Sequence, residues 1–498
     1  MRSSGVFLSI SSLPSEFGIG GFGEEVKEFC DFLKRSGCVW WQILPITTIG
    51  LGNSPYSGVS AFAGNYLYID PIRLYKNGYI NDEAVSLAKY YGSPHTVDYD
   101  FVIKSKKEVL KKAYEYISKE KSYIISRYLS EHRDWLFDYA LYMAIKDEQG
   151  GKPWYMWDEE FKRRDNETIA KFLETHDYEL GYYICEQYLF HEQWQECRKI
   201  FRENGIKIIG DMPIYVSIDS VDVWSHPENY ELDENLVPKK VAGVPPDYYS
   251  ATGQLWGNPI YNYEYMKKMK YKWFLDRIDA MFNLYDKVRI DHFRAFSEYW
   301  ACDYGAENAI NGEWYEGCGE ELFALIKERY PNADIIAEDL GVIDDKVTAL
   351  REKYNLPGMR VFQFAFDGYN SPHIPHNYER NSVVYTGTHD NNTTYGWIAS
   401  LEEERLGKLQ DYIGEYDEIY GGENNKYVWS VIRVLLMSVA DIVIIPFQDL
   451  AGWGEDTRLN TPGVALGNWV VRITHDAISR IACDKFMRYN YITNRIAM

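Results

Sequence analysis

The sequence predicts an α/β fold, a closed (β/α)₈ barrel of the TIM type with large, mainly helical insertions in the loops after its second and third strands. Three observations point there. Eight short, nearly continuous apolar runs recur along the chain, most of them separated by amphipathic segments. Strands that are apolar throughout and alternate with helices belong to a parallel sheet covered on both faces. Several of the runs end in an acidic residue followed by a loop, where barrel enzymes keep their chemistry. The chain has 498 residues, whereas a bare barrel takes roughly 250, so about as much again is inserted between its units.

The first run is 6–10. Residues 22–36 then place Val26, Phe29, Cys30 and Leu33 on one helical face, stop at Gly37 and lead into the second run, 39–44. The third, 207–210, follows a helix-patterned stretch that ends at Asn204-Gly205, and it runs into Asp211. The fourth, 287–290, follows 273–285 and ends at Asp291; the fifth, 334–337, follows Pro331-Asn332 and ends at Glu338. The sixth, 359–366, is reached through Leu356-Pro357-Gly358 and precedes Asp367. The seventh, 383–386, precedes His389, and the eighth, 441–445, precedes Gln448-Asp449. The whole chain, 1–498, reads as one catalytic barrel. A mainly helical insertion subdomain occupies 65–200, and a second insertion, 215–272, carries a loop rich in Gly, Pro and aromatic residues at 244–259.

Hydrophobic residues make up 46% and charged residues 26% of the chain, enough for a large core and too patterned for disorder. The formal net charge of −21 repels a nucleic-acid backbone and an anionic membrane surface. Neutral sugars are not repelled, and 15 Trp and 43 Tyr supply faces on which they stack, although most of these rings are expected to pack the core. The seven cysteines are odd in number and include no C-x-x-C pair, so reduced buried thiols in a cytoplasmic protein are expected. No metal site or cofactor is expected. Gly18-Ile19-Gly20-Gly21-Phe22-Gly23 fits a dinucleotide spacing, but it does not directly follow a strand and no acidic residue ends a second strand about 20 residues on.

One acid at a strand end is usually a helix cap. Three such ends beside Arg or His point to the paired carboxylates of glycoside cleavage, in which one acid protonates the leaving oxygen and another attacks or activates water. Arg289 stands two residues before Asp291, so both face the same way from a strand and the guanidinium keeps that carboxylate ionised. Glu338 follows the apolar stretch DIIA, where desolvation raises a carboxyl toward the range of a working acid. Asp390 is then a fixed carboxylate opposite developing positive charge. His389 and Arg289 are donors suited to sugar hydroxyls; a hydrogen-bonded barrel histidine is the plain alternative for His389. Tyr56, in Ser54-Pro55-Tyr56 after the second strand, is either a sugar platform or packing, and the 244–259 loop is either a cover or a substrate lid.

At these residues the chain resembles the amylomaltases, the 4-α-glucanotransferases or disproportionating enzymes of the α-amylase superfamily. The motifs run from Gly5 to near Arg472: SPY with SAFAGN, WWQILP, GDMPIYV, PPDYYSATGQLWGNP, RIDHFR, AEDLG, LPGMRVFQFAF, GTHDN and PFQDLAGWGEDTRLNTPG with GNW. The resemblance implies a barrel enzyme that transfers α-1,4-glucan segments with retention, through a covalent glycosyl intermediate on Asp291. Glu338 falls on the general acid/base and Asp390 on the transition-state stabiliser. Tyr56, Arg289 and His389 match residues around the cleaved sugar, Gln254 and Trp256 the lid, and Ser54, Asp367 and Asn460 further substrate contacts. Donors and acceptors would be maltooligosaccharides or amylose, with glucose also an acceptor, and the enzyme a monomer or small homo-oligomer. Ala251 and Leu51 depart from residues common in the family. The three acids alone do not separate a transferase from a hydrolase.

Overall fold

The computed structural model describes residues 2–246, 250–366, 368, 370–414 and 423–496. Its strands are β1 (Ser3–Phe7), β2 (Trp40–Gln42), β3 (Lys207–Met212), β4 (Lys240–Val244), β5 (Gln254–Pro259), β6 (Lys287–Ile290), β7 (Glu298–Asp303), β8 (Glu313–Glu316), β9 (Ile335–Ala337), β10 (Gly358–Val361), β11 (Ser382–Tyr385) and β12 (Ile442–Pro446). Eight of them close into a barrel in the order β1-β12-β11-β10-β9-β6-β3-β2. Every neighbouring pair in it is parallel. The eight apolar runs are these eight strands.

Two strands, the first and the sixth, depart from their runs by more than two residues. The first strand begins earlier, because Ser3, Ser4 and Gly5 pair with β12 and Gly5 also with β2 while buried; Ile10 sits in the helical turn Ile10–Ser12 instead. A Cβ at residue 5 would lie 2.4 Å from the Trp40 carbonyl oxygen, so the small residue lets β1 and β2 approach. The sixth strand ends at Val361, where the backbone turns into Phe362–Phe364.

Apolar residues fill both sides of the barrel wall. Phe7, Trp40, Ile209, Ile336, Val383 and Ile444 belong to a cluster inside it, and Tyr385 Oη donates to Gln42 Oε1 there at 2.9 Å. The alternate residues, among them Val6, Trp41, Ile208, Val288, Ile335 and Val443, join the main core under the outer helices. That alternation is the period-two pattern of a strand.

Between β2 and β3 lie Tyr99–Glu120, Ser122–Glu131, Arg133–Glu148, Asn166–Thr175 and the 27-residue helix Asp177–Glu203, which returns the chain to the barrel. This helix fixes the loop after β2. Gln187 accepts from Gly64 N at 2.7 Å and donates to Gly64 O at 3.0 Å.

A four-stranded antiparallel sheet, in the order β5-β4-β7-β8, stands beside the barrel. Its strands come from both sides of β6, and the sequence reading has no strands there. β7 and β8 are short and mix charged with aromatic residues, EYWACD and EWYE, and β4 pairs with β5 through an irregular register. Neither gives a clean alternation. All seven cysteines are unpaired and buried. Among the described residues no helix is long and apolar enough to cross a membrane.

Candidate active site

Val288 and Ile290 of β6 point outward into the main core, so Arg289 and Asp291 share the inner face. Arg289 is almost wholly buried, and Nη2 lies 2.9 Å from Asp291 Oδ1. Its Nη1 donates to both oxygens of Asp211, at 2.8 and 2.7 Å, and its Nε to Met359 Sδ at 3.4 Å. The β3–β6 register sets Asp211 directly opposite Arg289. Burial pushes the Asp211 carboxyl up, against the pull of Arg289.

Asp211 is a member of this cluster that the sequence reading missed. The available signal was an acid ending the third run in GDMPIYV, on the strand that pairs with RIDHFR, but the pairing itself is set only by the closed barrel. Asp211 also accepts from Tyr56 Oη at 2.7 Å. The Tyr56 ring stacks on His389, with centroids 5.2 Å apart and planes at 20°. Ser54 Oγ accepts from Tyr56 N at 3.2 Å, shaping the turn that delivers the tyrosine.

Glu338 stands beside Asp291. Ile290 pairs with Ala337 in register, and Glu338 N donates to Ile290 O at 3.1 Å, so the next residues on these adjacent strands, which run about 4.8 Å apart, leave the rim together. Glu338 is buried, and burial raises its carboxyl from 4.5 to about 7; Arg289 opposes the rise and Asp291 adds to it. Two main-chain donors fix the carboxylate: His292 N to Oε2 at 2.7 Å and Leu340 N to Oε1 at 2.8 Å. His292 adopts φ +51° to present that amide, a left-handed conformation unusual outside glycine. Burial lowers its imidazole to about 4, leaving it neutral near pH 7.

Asp390 follows β11. Its Oδ1 lies 3.3 Å from His389 Nε2 and accepts from Asn460 Nδ2 at 2.6 Å. The antiparallel sheet brings β5 over this ring of polar groups. The Trp256 indole meets His292 edge-on at 4.7 Å and is 38% exposed, while its Nε1 donates to Gln254 Oε1 at 3.2 Å. The structure thus gathers Tyr56, Ser54, Arg289, Asp291, Glu338, His389, Asp390, Asn460, Gln254 and Trp256 at the C-terminal mouth of the barrel. Asp367, and residues 247–249 of the 244–259 loop, lie outside the described residues.

A family model described as 4-alpha-glucanotransferase matches residues 8–477. A 4-alpha-glucanotransferase of Aquifex aeolicus (strain VF5) is 44% identical over 478 residues, covering 96% of both chains. One from Synechocystis is 43% identical over 486 residues, covering 96% of this chain and 95% of its own. Among solved structures, an amylomaltase from Streptococcus agalactiae in complex with acarbose superposes with a TM-score of 0.95 at 38% identity, covering 100% of each chain. With a barrel whose mouth holds two neighbouring carboxyl groups, one bonded to a buried arginine and one made weakly acidic by burial, and with relatives alike over nearly their whole length, the chain belongs to the 4-α-glucanotransferase family.

Proposed function

We propose that Asp291, Glu338 and Asp390 carry the transfer of α-1,4-glucan segments between maltooligosaccharide chains by double displacement. The carrying observation is the side-by-side emergence of Asp291 and Glu338 from adjacent strands in register, with the arginine bonded to one and burial raising the other. A retaining enzyme needs its two carboxyl groups close, about 5–5.5 Å apart, because one of them attacks the anomeric carbon directly.

Asp291, paired with Arg289, attacks the anomeric carbon of the donor glucan. The glycosidic C–O bond breaks, the leaving oxygen takes the Glu338 proton, and a glycosyl–Asp291 ester forms. Glu338, now a carboxylate, removes the proton from the 4-hydroxyl of an incoming glucan or glucose. That oxygen bonds to the anomeric carbon, Asp291 leaves, and both acids return to their starting states. Asp390 faces the positive charge that develops at the sugar in each step. His389, Arg289 and the Tyr56 ring surround the cleaved sugar, and Trp256 with Gln254 belongs to a lid over the donor and acceptor sites. Ser54 and Asp367 complete the substrate contacts in this reading. The acarbose bound to the Streptococcus agalactiae relative supports an α-glucan as ligand.

Purified enzyme and maltotriose alone test the reading, with products resolved over time. Glucose with maltopentaose and longer chains, and little new reducing power, is the expected result. Glucose and maltose with rising reducing ends would make water the acceptor and overturn the transferase assignment.

A further inference from the structure

Asp390 lies on a loop, and a carboxylate that stabilises charge in a transition state must be fixed before the reaction. Most of its support comes from a segment some 70 positions further along. Arg458 Nη2 donates to the Asp390 main-chain oxygen at 2.5 Å, and Arg458 Nε donates to the Asn460 carbonyl at 2.8 Å. Asn460 N donates to His389 O at 3.1 Å, and its amide group reaches Asp390 Oδ1. Arg458 is extended, with φ −60° and ψ 132°, and its side chain and that of Asn460 both reach Asp390. Leu459 between them is buried, and its carbonyl accepts from Trp469 N at 2.8 Å. The Trp469 ring lies 5.9 Å from those of Tyr56 and His389. Among the described residues, the side-chain contacts to the Asp390 carboxylate converge on Oδ1, which leaves Oδ2 for the sugar.

We propose that Arg458 and Asn460 are positioning residues for Asp390: Arg458 locks its main chain through two carbonyls, and Asn460 sets the rotation of its carboxylate. This rests on the assignment of Asp390 as the stabilising carboxylate. The choice of arginine follows from the geometry, since two carbonyls of different residues are met by two nitrogens of one planar group, which a single ammonium cannot reproduce. The choice of asparagine follows from charge, since an aspartate there would set a second carboxylate against Asp390.

The test compares Arg458→Met, Arg458→Lys, Asn460→Ala and Asn460→Asp with the native enzyme, reading kcat and KM for maltotriose disproportionation and the thermal midpoint of each protein. Arg458→Met and Asn460→Ala are expected to lose about 10²-fold in kcat, the size of a small misplacement of a reacting group, with KM little changed. Arg458→Lys should recover part of that loss. In Asn460→Asp the new carboxyl can donate to Asp390 only when protonated, so its optimum should move toward acid relative to the native enzyme. Raised KM with native kcat would overturn the proposal and leave both residues as sugar contacts. A native pH profile in Asn460→Asp, or kcat losses that simply follow the thermal midpoint in both Arg458 variants, would overturn it as well. Asp390→Asn is measured alongside: if it turned over near the native rate, the assignment of Asp390 itself would fall, a failure distinguishable from the others.

Discussion

Asp211 receives one nitrogen of Arg289 on both of its carboxylate oxygens, at 2.8 and 2.7 Å, with both side chains buried inside the barrel. The contact fixes the guanidinium so that its other terminal nitrogen meets Asp291. Removing one member of a buried ion pair leaves the other charge uncompensated and costs about 3–5 kcal/mol. Asp211→Ala is expected to lose stability on that scale in urea unfolding, and Asp211→Asn less, because the amide oxygen still accepts. Both should lower kcat/KM, since an Arg289 free to swing no longer orients Asp291.

As the proposed acid, Glu338 would set the pH dependence of the first step. Its carboxyl is raised to about 7, so the acid form needed to protonate the leaving oxygen is abundant below that value and is lost as pH rises through it. The expected profile of kcat/KM falls on the alkaline side with a midpoint near 7, because kcat/KM reflects the ionisation of the free enzyme's essential acid. Glu338→Gln should lose about 10³-fold or more in turnover, because one residue serves as acid and base, and its residual activity should lack that limb. A wild-type limb retained in the variant would assign it to another group.

The strands were readable because each is a compact apolar run ended by polar residues, and RIDHFR, AEDLG and GTHDN put Asp291, Glu338 and Asp390 at their ends. What stayed hidden depends on pairing between distant segments. Asp211 and Arg289 stand 78 positions apart and meet only when β3 and β6 pair. The sheet that holds Trp256 over the site is built from strands on both sides of β6, with mixed polar and aromatic faces. Asn460 was expected on the substrate, and the structure shows its amide on Asp390; the nine residues GEDTRLNTP carry no signal for that contact, because its partner lies on another loop.

In the proposed mechanism Trp256 decides whether sugar or water attacks the glycosyl intermediate. The indole is partly exposed and contacts the site through the His292 edge. On that reading Trp256→Ala would open the site to water and remove an apolar face offered to the acceptor sugar. The expected outcome is a higher KM for acceptor and more reducing ends released per transfer event, with donor cleavage less affected. The product ladder from maltotriose, assayed together with reducing power, measures the partition directly.

Glu186 links folding to pH. It is fully buried in the helix Asp177–Glu203, and burial raises its carboxyl from 4.5 to about 7. Oε1 accepts from Tyr139 Oη at 3.2 Å and Gln187 Nε2 at 3.3 Å, whereas Oε2 has no partner among the described residues. A carboxyl weaker in the folded state than in the unfolded chain holds its proton longer when folded. Its contribution is therefore complete below pH 4.5, declines as pH rises toward 7, and is gone above it. With 1.36 kcal/mol for each tenfold change, the rise from 4.5 to about 7 makes the decline about 3 kcal/mol. Glu186→Gln keeps the shape and cannot ionise. Its unfolding free energy should match the native protein near pH 5, exceed it at pH 8, and vary less between them. Equal destabilisation at both pH values would mean that the folded protein holds Glu186 charged.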